Sequence, residues 1–236
     1  MIICRLLGVI ANKSVSFGFS FRKFKEFGEK NPHGWGVGWY DSSGKANIRK
    51  EGCFSKKSKI YDDISDVHSH LIIEHVQYRT TGSVCEENAH PFIFANWIFA
   101  HNGFIDHDSL YEEIEPDYRT GLRKDCTDSE VYFRFLLQNI NKQNGDTILG
   151  IRNGLKEIIG SNNYGSLNFL LSNGQYLYAY RNGMELSMLK RFYVNPHGNK
   201  EFQALSKETQ FLIKSKSLNR EKAVVICSES ISDEAN

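Results

Sequence analysis

Apolar and polar positions follow patterns that predict strands near both ends of the chain. An apolar run at 6–11, closed by Asn12, predicts a buried strand that begins almost at the first residue. The segment GWGVGWY at 34–40 predicts a second strand, and the turn residues 41–44 lead into a third at 45–50. Further apolar runs predict strands at 71–78, 93–100, 167–171, 176–180, 186–189 and 223–227.

Helical spacing of apolar residues is found mainly in the middle of the chain. Phenylalanines three and four residues apart predict a helix over 17–28, and segments 58–69, 107–115 and 147–159 have similar spacing. We expect Gly160 to close the last of these helices. Thr127 or Asp128 can cap another helix, whose apolar positions run from Val131 to Ile140.

The order of these elements is mixed: strands, then helices, then strands again. Two antiparallel sheets packed together, with helices outside them, satisfy this order. Asn-Gly pairs at 173–174 and 182–183 predict hairpin turns between the later strands. The length of 236 residues is enough for one well-cored domain, and no linker divides it. We therefore expect a single domain over 1–236, with a frayed tail at 230–236.

Composition and charge argue against several kinds of partner. The apolar fraction of 40% and the charged fraction of 24% are ordinary for a globular protein. A formal net charge of +1 gives no electrostatic reason to bind nucleic acid or an anionic membrane. Five cysteines without a CxxC pair favour a reduced, cytoplasmic setting over a disulfide framework. Neither a signal peptide nor a membrane span is expected.

Cys4 is the first candidate for chemistry. A single cysteine is usually a small core residue. A cysteine at a chain terminus, however, has its own α-amine as a base, since that group has a pKa of about 8. Three residues, Met1 to Ile3, precede Cys4 in this sequence, so we expect this leader to be removed if Cys4 is a nucleophile.

Polar groups after two predicted strands are further candidates. Asn102 and Gly103 follow an apolar strand and can offer a side-chain NH2 and a backbone N–H to one developing oxyanion, although Asn-Gly is more often a turn. Arg79 and Thr80 lie in a polar turn after another strand, where an arginine can bind a substrate carboxylate. Asp128 can receive an α-ammonium group, or belong only to a helix cap.

A metal site is a weaker alternative. His68, His70 and His75 are close in sequence, and alternate histidines on a strand can bind zinc. No carboxylate or cysteine falls at a convincing spacing, so neither a metal nor another cofactor is expected.

Seven segments, in this order, resemble the class II glutamine amidotransferases. They are CRLLGVIAN, HGWGVGWY, the HVxxxTxG stretch at 75–82, NAHPF, FAHNG, TDSE and LNFLLSNGQYLYAYR. The resemblance is strongest to the small YafJ-like group, which consists of the glutaminase domain alone, and it runs from Cys4 to about Glu229. Single motifs such as NG are weak, but seven in the correct order are specific.

The resemblance implies a fold and a mechanism. The fold is α+β, the four-layer αββα sandwich of N-terminal nucleophile hydrolases with two packed, mainly antiparallel sheets. Cys4 is implied as the nucleophile, Asn102 and Gly103 as the oxyanion hole, and Asp128 as the group that holds the α-amine of glutamine. The implied partners are glutamine or a γ-glutamyl amide, and a separate synthase that accepts ammonia.

The resemblance also implies that His90 and Trp35 lie near the pocket. The chain departs from the family pattern at Gln77. The family reads H-x-R-x-A-T-x-G where this chain has Gln77 in place of the arginine, with Arg79 two positions further on. Two residues along a strand keep the same face, so we expect Arg79 to substitute for the missing arginine.

Three functions therefore remain open at this stage. The first is a glutaminase or amidotransferase subunit, and the second is an amidohydrolase of a γ-glutamyl conjugate, which Gln77 favours. The third is a non-catalytic relative that binds a metabolite or a partner, which the residues before Cys4 favour.

Overall fold

The computed structural model describes residues 4–16, 31–52, 58, 64, 67–78, 83–123, 125–192 and 222–228. These residues form strands and helices that are named here in chain order. The strands are β1 (Arg5–Ser16), β2 (Gly34–Tyr40), β3 (Ala46–Glu51), β4 (His68–Gln77), β5 (Phe92–Phe94), β6 (Trp97–Ile105), β7 (Tyr164–Ser172), β8 (Leu177–Tyr180), β9 (Ser187–Phe192) and β10 (Lys222–Cys227). The helices are α1 (His107–Glu112), α2 (Pro116–Arg119), α3 (Asp128–Lys142) and α4 (Thr147–Ser161).

The larger sheet has the strand order β3-β2-β4-β1-β10-β9, and its neighbouring strands are antiparallel. β4 and β1 lie in its centre, with Leu6 opposite His75. The first four residues of β1 are buried on both faces, which explains why the sequence there is a nearly continuous apolar run.

The smaller sheet has the antiparallel order β5-β6-β7-β8, and it packs face to face with the larger one. The core between the sheets contains buried residues from both, including Leu6, Leu71, Ile73, Ile98 and Leu170. The glycines of β2 face this core. A Cβ on Gly36 would lie 2.3 Å from the carbonyl oxygen of His90, so the chain at His90 sits directly on β2. The predicted packing of two antiparallel sheets is therefore confirmed.

The helices cover the outer face of the smaller sheet. Apolar residues of α3, α4 and that sheet form one buried cluster, which includes Phe99, Val131, Phe135, Ile158 and Phe169. Most of α3 is buried, and several of its polar side chains bond to backbone groups of neighbouring residues. Gln138, for example, donates to the Glu113 carbonyl and accepts from the Glu115 N–H.

One predicted strand is divided in two. The segment 93–100 contains a tight turn at Ala95 and Asn96, whose φ angles are 46° and 65°, and this turn joins β5 to β6 as a hairpin. The Asn96 side chain accepts from Ala46 N–H and donates to the Gly44 carbonyl, so it is held by the neighbouring hairpin. β6 then continues to Ile105, which means that Asn102 and Gly103 lie within the strand rather than after it.

Several helix predictions need correction at their ends. The helix predicted over 107–115 is shorter than expected, because α1 ends at Glu112; a separate short helix, α2, begins at Pro116. Gly160 lies inside α4, which is closed instead by Asn162 in the left-handed region. The helix predicted over 58–69 is wrong at its end, where His68 and Ser69 begin β4. The rest of that segment is mostly outside the described residues, and so is the helix predicted over 17–28.

The second predicted hairpin is also wrong. Gly174 has a φ of 89° and lies in a true hairpin between β7 and β8. Gly183 has a φ of 95°, but the strands on either side of it, β8 and β9, belong to different sheets. Residues 181–186 therefore carry the chain from the smaller sheet to the larger one, and they are called the crossing segment below.

Within the described ranges, no helix is long and apolar enough to cross a membrane.

Candidate active site

Cys4 lies just before β1, next to the end of β4. Its Sγ is 3.2 Å from the carbonyl oxygen of Tyr78, to which the thiol donates, and 3.2 Å from the Tyr78 N–H, which donates to the sulfur. Burial raises the pKa of the thiol to about 11, although the Tyr78 hydrogen bond acts in the opposite direction. The sulfur in this arrangement is therefore a protonated thiol at neutral pH.

Asn102 reaches Cys4 from the other sheet. Its side-chain Nδ2 donates to the Cys4 carbonyl oxygen at 2.8 Å, across the gap between β6 and β1. Asn102 is 2% exposed and lies on the same face of β6 as Ala100 and Ile98, which belong to the core between the sheets. The nitrogen has two hydrogens, so one remains for a second acceptor.

Gly103 occupies a place where no side chain fits. A Cβ on this residue would lie 1.7 Å from the Ser166 carbonyl oxygen, because β6 and β7 approach closely where their register shifts. Its backbone follows directly on Asn102, so the two candidate oxyanion donors are adjacent and both are rigidly held.

Gln77 lies beside Cys4 on the larger sheet. The antiparallel register pairs Arg5 with Val76, and continuing it by one residue places Cys4 opposite Gln77. Gln77 is buried, and its Oε1 has no hydrogen-bond partner in the described structure. Arg79 and Thr80 lie outside the described residues, so their expected contacts with substrate stay predictions.

His90 and His75 form a buried pair between the two sheets, and His75 lies two residues before Gln77 on β4. Their ring centroids are 4.3 Å apart, and His90 also contacts the Phe92 ring at 4.6 Å. Burial lowers the pKa of His75 to about 3 and that of His90 well below its usual value. Both imidazoles are therefore neutral. His90 packs, through His75, on the face of the larger sheet that also carries Gln77.

Asp128 is the first residue of α3 and is fixed by the end of β6. Its Oδ2 accepts the Ile105 N–H at 3.0 Å. The helix has its cap one residue earlier, where the Thr127 side chain accepts from Glu130 N–H at 3.2 Å. The capping interpretation of this motif is thus confirmed, and it leaves the Asp128 carboxylate at the positive end of the helix. The negative charge of Asp128 also raises the Cys4 pKa, as a minor contribution.

His101 lies on the opposite face of β6 from Asn102. Its Nε2 is 3.2 Å from the Ser166 carbonyl oxygen and its Nδ1 is 2.9 Å from Ser129 Oγ. Since a carbonyl only accepts, Nε2 carries the proton and Nδ1 accepts from the hydroxyl. His101 therefore ties β6 to β7 and to α3.

Trp35 packs on the face of the larger sheet opposite His75 and Gln77, and its expected position near the pocket stays a prediction. Trp35 belongs to an apolar cluster with Val37 and Ile72, on the face of β2 opposite its core-facing glycines, and it donates to Glu51 Oε2 at 3.0 Å. His68 and His70 are exposed on one face of β4, whereas His75 is buried on the other. The described residues contain no group of three or more His, Cys, Asp or Glu side chains that could hold a metal ion.

Three residues at the site were not found from the sequence. Tyr78 binds the thiol through its backbone, so its side-chain type carries no signal. Ser166 and Asn168 become neighbours of Asn102 only through the pairing of β6 with β7, in which Asn102 lies opposite Asn168. No local pattern predicts such a cross-strand contact.

Solved structures with the same architecture define the class of fold. A glutamine aminotransferase class-II domain protein from Silicibacter pomeroyi superposes with a TM-score of 0.62 at 18% identity, covering 97% of this chain and 90% of that chain. The glutamine phosphoribosylpyrophosphate amidotransferase of Bacillus subtilis gives a TM-score of 0.60 at 18% identity, covering 96% of this chain and 42% of that chain. The fold is therefore α+β, the αββα sandwich of N-terminal nucleophile hydrolases.

The sequence comparison then gives the family. The profile described as glutamine amidotransferases class-II matches residues 3–236, so the chain belongs to this family. A protein of Methanocaldococcus jannaschii is 33% identical over 205 residues, covering 80% of this chain and 54% of that protein. The Escherichia coli protein YafJ is 29% identical over 191 residues, covering 75% of this chain and 72% of YafJ.

A third relative has a more specific name. The γ-glutamyl-hercynylcysteine sulfoxide hydrolase of Mycobacterium tuberculosis is 26% identical over 168 residues, covering 71% of this chain and 66% of that protein. The chain thus spans about half of the M. jannaschii protein and two thirds of the mycobacterial one.

Proposed function

We propose that this chain is a glutaminase that hydrolyses the side-chain amide of glutamine through a covalent thioester on Cys4. The observation that carries the proposal is the hydrogen bond of 2.8 Å from Asn102 Nδ2 to the Cys4 carbonyl oxygen. It joins the candidate nucleophile directly to the candidate oxyanion donor, although 98 residues separate them in the chain. Family membership gives independent support.

Acylation is the first half of the proposed reaction. The Cys4 thiolate attacks the amide carbon, and the carbonyl oxygen becomes a tetrahedral oxyanion. The second hydrogen of Asn102 Nδ2 and the Gly103 N–H donate to that oxyanion. The intermediate collapses, the C–N bond breaks, and the nitrogen leaves as ammonia after it takes the proton removed from the thiol.

Deacylation restores the enzyme. A water molecule attacks the γ-glutamyl thioester, the same donors hold the second oxyanion, and the C–S bond breaks. Glutamate leaves, and the sulfur recovers its proton from the attacking water. The net reaction is glutamine plus water to glutamate plus ammonia. Asp128 is proposed to hold the substrate's α-ammonium group.

The base is the part of the site that depends on the residues before Cys4. With its pKa raised to about 11, the thiol needs a base that can take its proton near neutral pH. We propose that the α-amine of Cys4 is this base once Met1, Ile2 and Ile3 are removed, because a terminal amine has a pKa of about 8.

The proposal is tested with two forms of the protein. One is the sequence as printed, and the other is expressed with a single Met before Cys4, which bacterial cells remove ahead of a small residue. We expect the form that starts at Cys4 to release ammonia from glutamine about 10²–10⁴ times faster, the range for a lost general base. Intact mass establishes which residue begins each form.

A reactive glutamine analogue gives a second readout. Incubation with 6-diazo-5-oxo-norleucine, followed by peptide mapping, is expected to show labelling of Cys4 in the form that starts there. A Cys4→Ser variant with the same start is the matched control and should remain unlabelled. Labelling at another cysteine, or ammonia release that survives Cys4→Ala, would contradict the proposal.

A second candidate function is hydrolysis of a γ-glutamyl conjugate. Gln77 beside Cys4 favours it, because the site departs at this position from the family's pattern, which has an arginine there. The similarity to a mycobacterial γ-glutamyl hydrolase points the same way. Steady-state kinetics separates the two functions: kcat/KM higher for glutamine than for a γ-glutamyl alkylamide supports the glutaminase, and the reverse order supports the conjugate hydrolase.

We further propose that residues 1–236 act as one glutaminase domain. The Bacillus subtilis amidotransferase chain is more than twice as long as the part covered by this chain. We propose that the ammonia made by this domain passes to a synthase or is released.

A further inference from the structure

The crossing segment is held by a side chain that is completely buried. Asn168, which is 0% exposed, lies on β7 opposite Asn102. Its Nδ2 donates to the carbonyl oxygens of Met184 and Glu185, at 2.9 and 3.3 Å, and its Oδ1 accepts from the Asn182 N–H at 2.6 Å. These three side-chain hydrogen bonds are thus all made to the crossing segment.

Ser166 adds a second anchor from the same strand. Its hydroxyl lies 2.9 Å from the Asn182 carbonyl oxygen and 3.1 Å from the Asn102 carbonyl oxygen. A Cβ on Gly183 would lie 3.1 Å from Ser166 Cβ, so the segment packs tightly against β7. The backbone of the crossing segment is therefore coupled to Asn102 through two neighbouring side chains.

The crossing segment also has a defined position relative to Cys4. In the larger sheet, β4 with Gln77 lies on one side of β1, whereas β10 and β9 lie on the other. The crossing segment enters β9 at Ser187, which pairs with Cys227 beside β1. Gln77 and the crossing segment therefore flank the candidate nucleophile from opposite sides.

A substrate amide has two parts that extend in different directions from the attacked carbon. If the glutamyl part lies toward Gln77, the amine part lies toward the crossing segment. The backbone of a surface segment rarely makes three hydrogen bonds with one fully buried side chain, since exposed backbone groups can bond to water. Its rigidity is what a surface that recognises a substrate needs.

We propose that the crossing segment contacts the leaving amine of a γ-glutamyl amide, and that Asn168 is the residue that positions it. This inference rests on the proposed function and deepens it by assigning the amine side of the site. Within the segment, Met184 is partly buried, while Arg181 and Glu185 are exposed. Glu185 is the charged residue that Asn168 holds through its backbone, so the preferred leaving amine is one that carries a positive charge.

The experiment compares three substrates with the form of the protein that starts at Cys4. They are glutamine, the γ-glutamyl amide of butylamine and the γ-glutamyl amide of 1,4-diaminobutane, whose free end is cationic. We expect Glu185→Gln to lower kcat/KM for the diaminobutane amide by about threefold to fivefold, the upper part of the range for one exposed charge pair. The same variant should leave the values for glutamine and the butylamide within about twofold.

Arg181→Gln is the matched control, because it removes an exposed charge from the same segment at the end away from β9. It should not lower the value for the cationic amide. If Glu185→Gln lowers kcat/KM equally for all three substrates, or for none of them, the inference is overturned while the proposed function stands. If the parent protein cleaves none of the three and Cys4 is not labelled by the diazo analogue, the proposed function itself fails.

Asn168→Asp tests the positioning role separately. The change keeps the size of the side chain but replaces the donor to Met184 and Glu185 with a second acceptor. We expect KM for the two γ-glutamyl alkylamides to rise while kcat for glutamine is retained. A purely structural role would instead lower kcat for all three substrates to the same degree.

Discussion

At the scale of single residues, the proposed mechanism gives Asn102 two tasks. One hydrogen of its Nδ2 holds the Cys4 carbonyl oxygen, and this contact fixes the start of β1 against β6. The other hydrogen is free to meet an oxyanion on the substrate. Because both hydrogens belong to one rigid amide, the donor directed at the substrate is oriented by the contact with Cys4.

Replacing Asn102 by Ala should therefore lower kcat far more than it changes KM. Loss of one oxyanion-hole donor costs about 10²–10³ in kcat, and we expect a loss of this size for ammonia release from glutamine. The measurement is steady-state kinetics on the form that starts at Cys4. Asn173→Ala, in the hairpin between β7 and β8, is a suitable control because it removes an asparagine cap from an exposed turn instead. A kcat unchanged in Asn102→Ala would remove Asn102 from the mechanism.

The pair His75 and His90 makes a different prediction, about pH. Burial holds the pKa of His75 at about 3 in the folded protein, whereas an unfolded histidine has a pKa of about 6.5. Below pH 6.5 the unfolded chain therefore binds a proton that the folded chain does not. The contribution of His75 to the free energy of unfolding is fully present above that pH and is lost as the pH decreases toward 3, by about 2 kcal/mol at pH 5.

The measurement is urea unfolding at pH 8, 6 and 5. His75→Phe keeps a ring beside His90 but removes one proton site, so its unfolding free energy should fall by about 2 kcal/mol less than that of the parent between pH 8 and 5. The value at pH 8 serves as the reference for any change in packing. Identical slopes for parent and variant would mean that His75 is protonated, or accessible to water, in the folded state.

At the scale of elements, the start of α3 links stability to the site. Thr127 caps the helix through Glu130 N–H, and Asp128 in the next position binds Ile105 N–H at the end of β6. The same short sequence therefore closes a helix end and places a carboxylate. The capping pattern could be predicted from the sequence because it depends on residues three positions apart.

Other elements could not be predicted so well, and the reasons are local. The division of 93–100 into β5 and β6 depends on two residues of positive φ, Ala95 and Asn96, and alanine gives no sign of such a turn. Gly160 inside α4 was expected to end the helix, but Asn162 adopts the left-handed conformation two residues later. Glycine and asparagine both suit that conformation, so the sequence allowed either position.

Removal of the α3 cap should have a measurable cost. Thr127→Ala loses the acceptor for Glu130 N–H, and we expect the free energy of unfolding to fall by about 1 kcal/mol. Thr127→Ser keeps an acceptor at the same place and should remain close to the parent. Urea unfolding at neutral pH measures both variants. A serine variant as unstable as the alanine variant would show that the methyl group, which is buried here, matters more than the cap.

At the scale of the whole molecule, the candidate site exists only because the two sheets pack together. Cys4 directly precedes β1 of the larger sheet, Asn102 lies in β6 of the smaller one, and the crossing segment joins the two sheets. Motif order in the sequence predicted that Cys4 and Asn102 share a site, but not the cross-strand pair of Asn102 with Asn168. The Asn-Gly pair at 182–183 was expected to form a hairpin. The prediction was wrong because a turn sequence does not specify which sheet the next strand joins.

The packing of the sheets depends on Gly36, which gives a final prediction. A Cβ there would lie 2.3 Å from the His90 carbonyl oxygen and 3.0 Å from the Arg49 carbonyl oxygen, so Gly36→Ala forces backbone apart. We expect a loss of about 1–3 kcal/mol, the usual cost of overpacking a core. Because His90 contacts His75 beneath the site, kcat/KM should fall as well.

Gly44→Ala is the control: its φ of +79° is strained for alanine, but nothing lies within 4 Å, so it should cost about 1 kcal/mol and leave activity unchanged. Equal activity in the two variants would show that the chain at His90 can move away from β2 without disturbing Cys4.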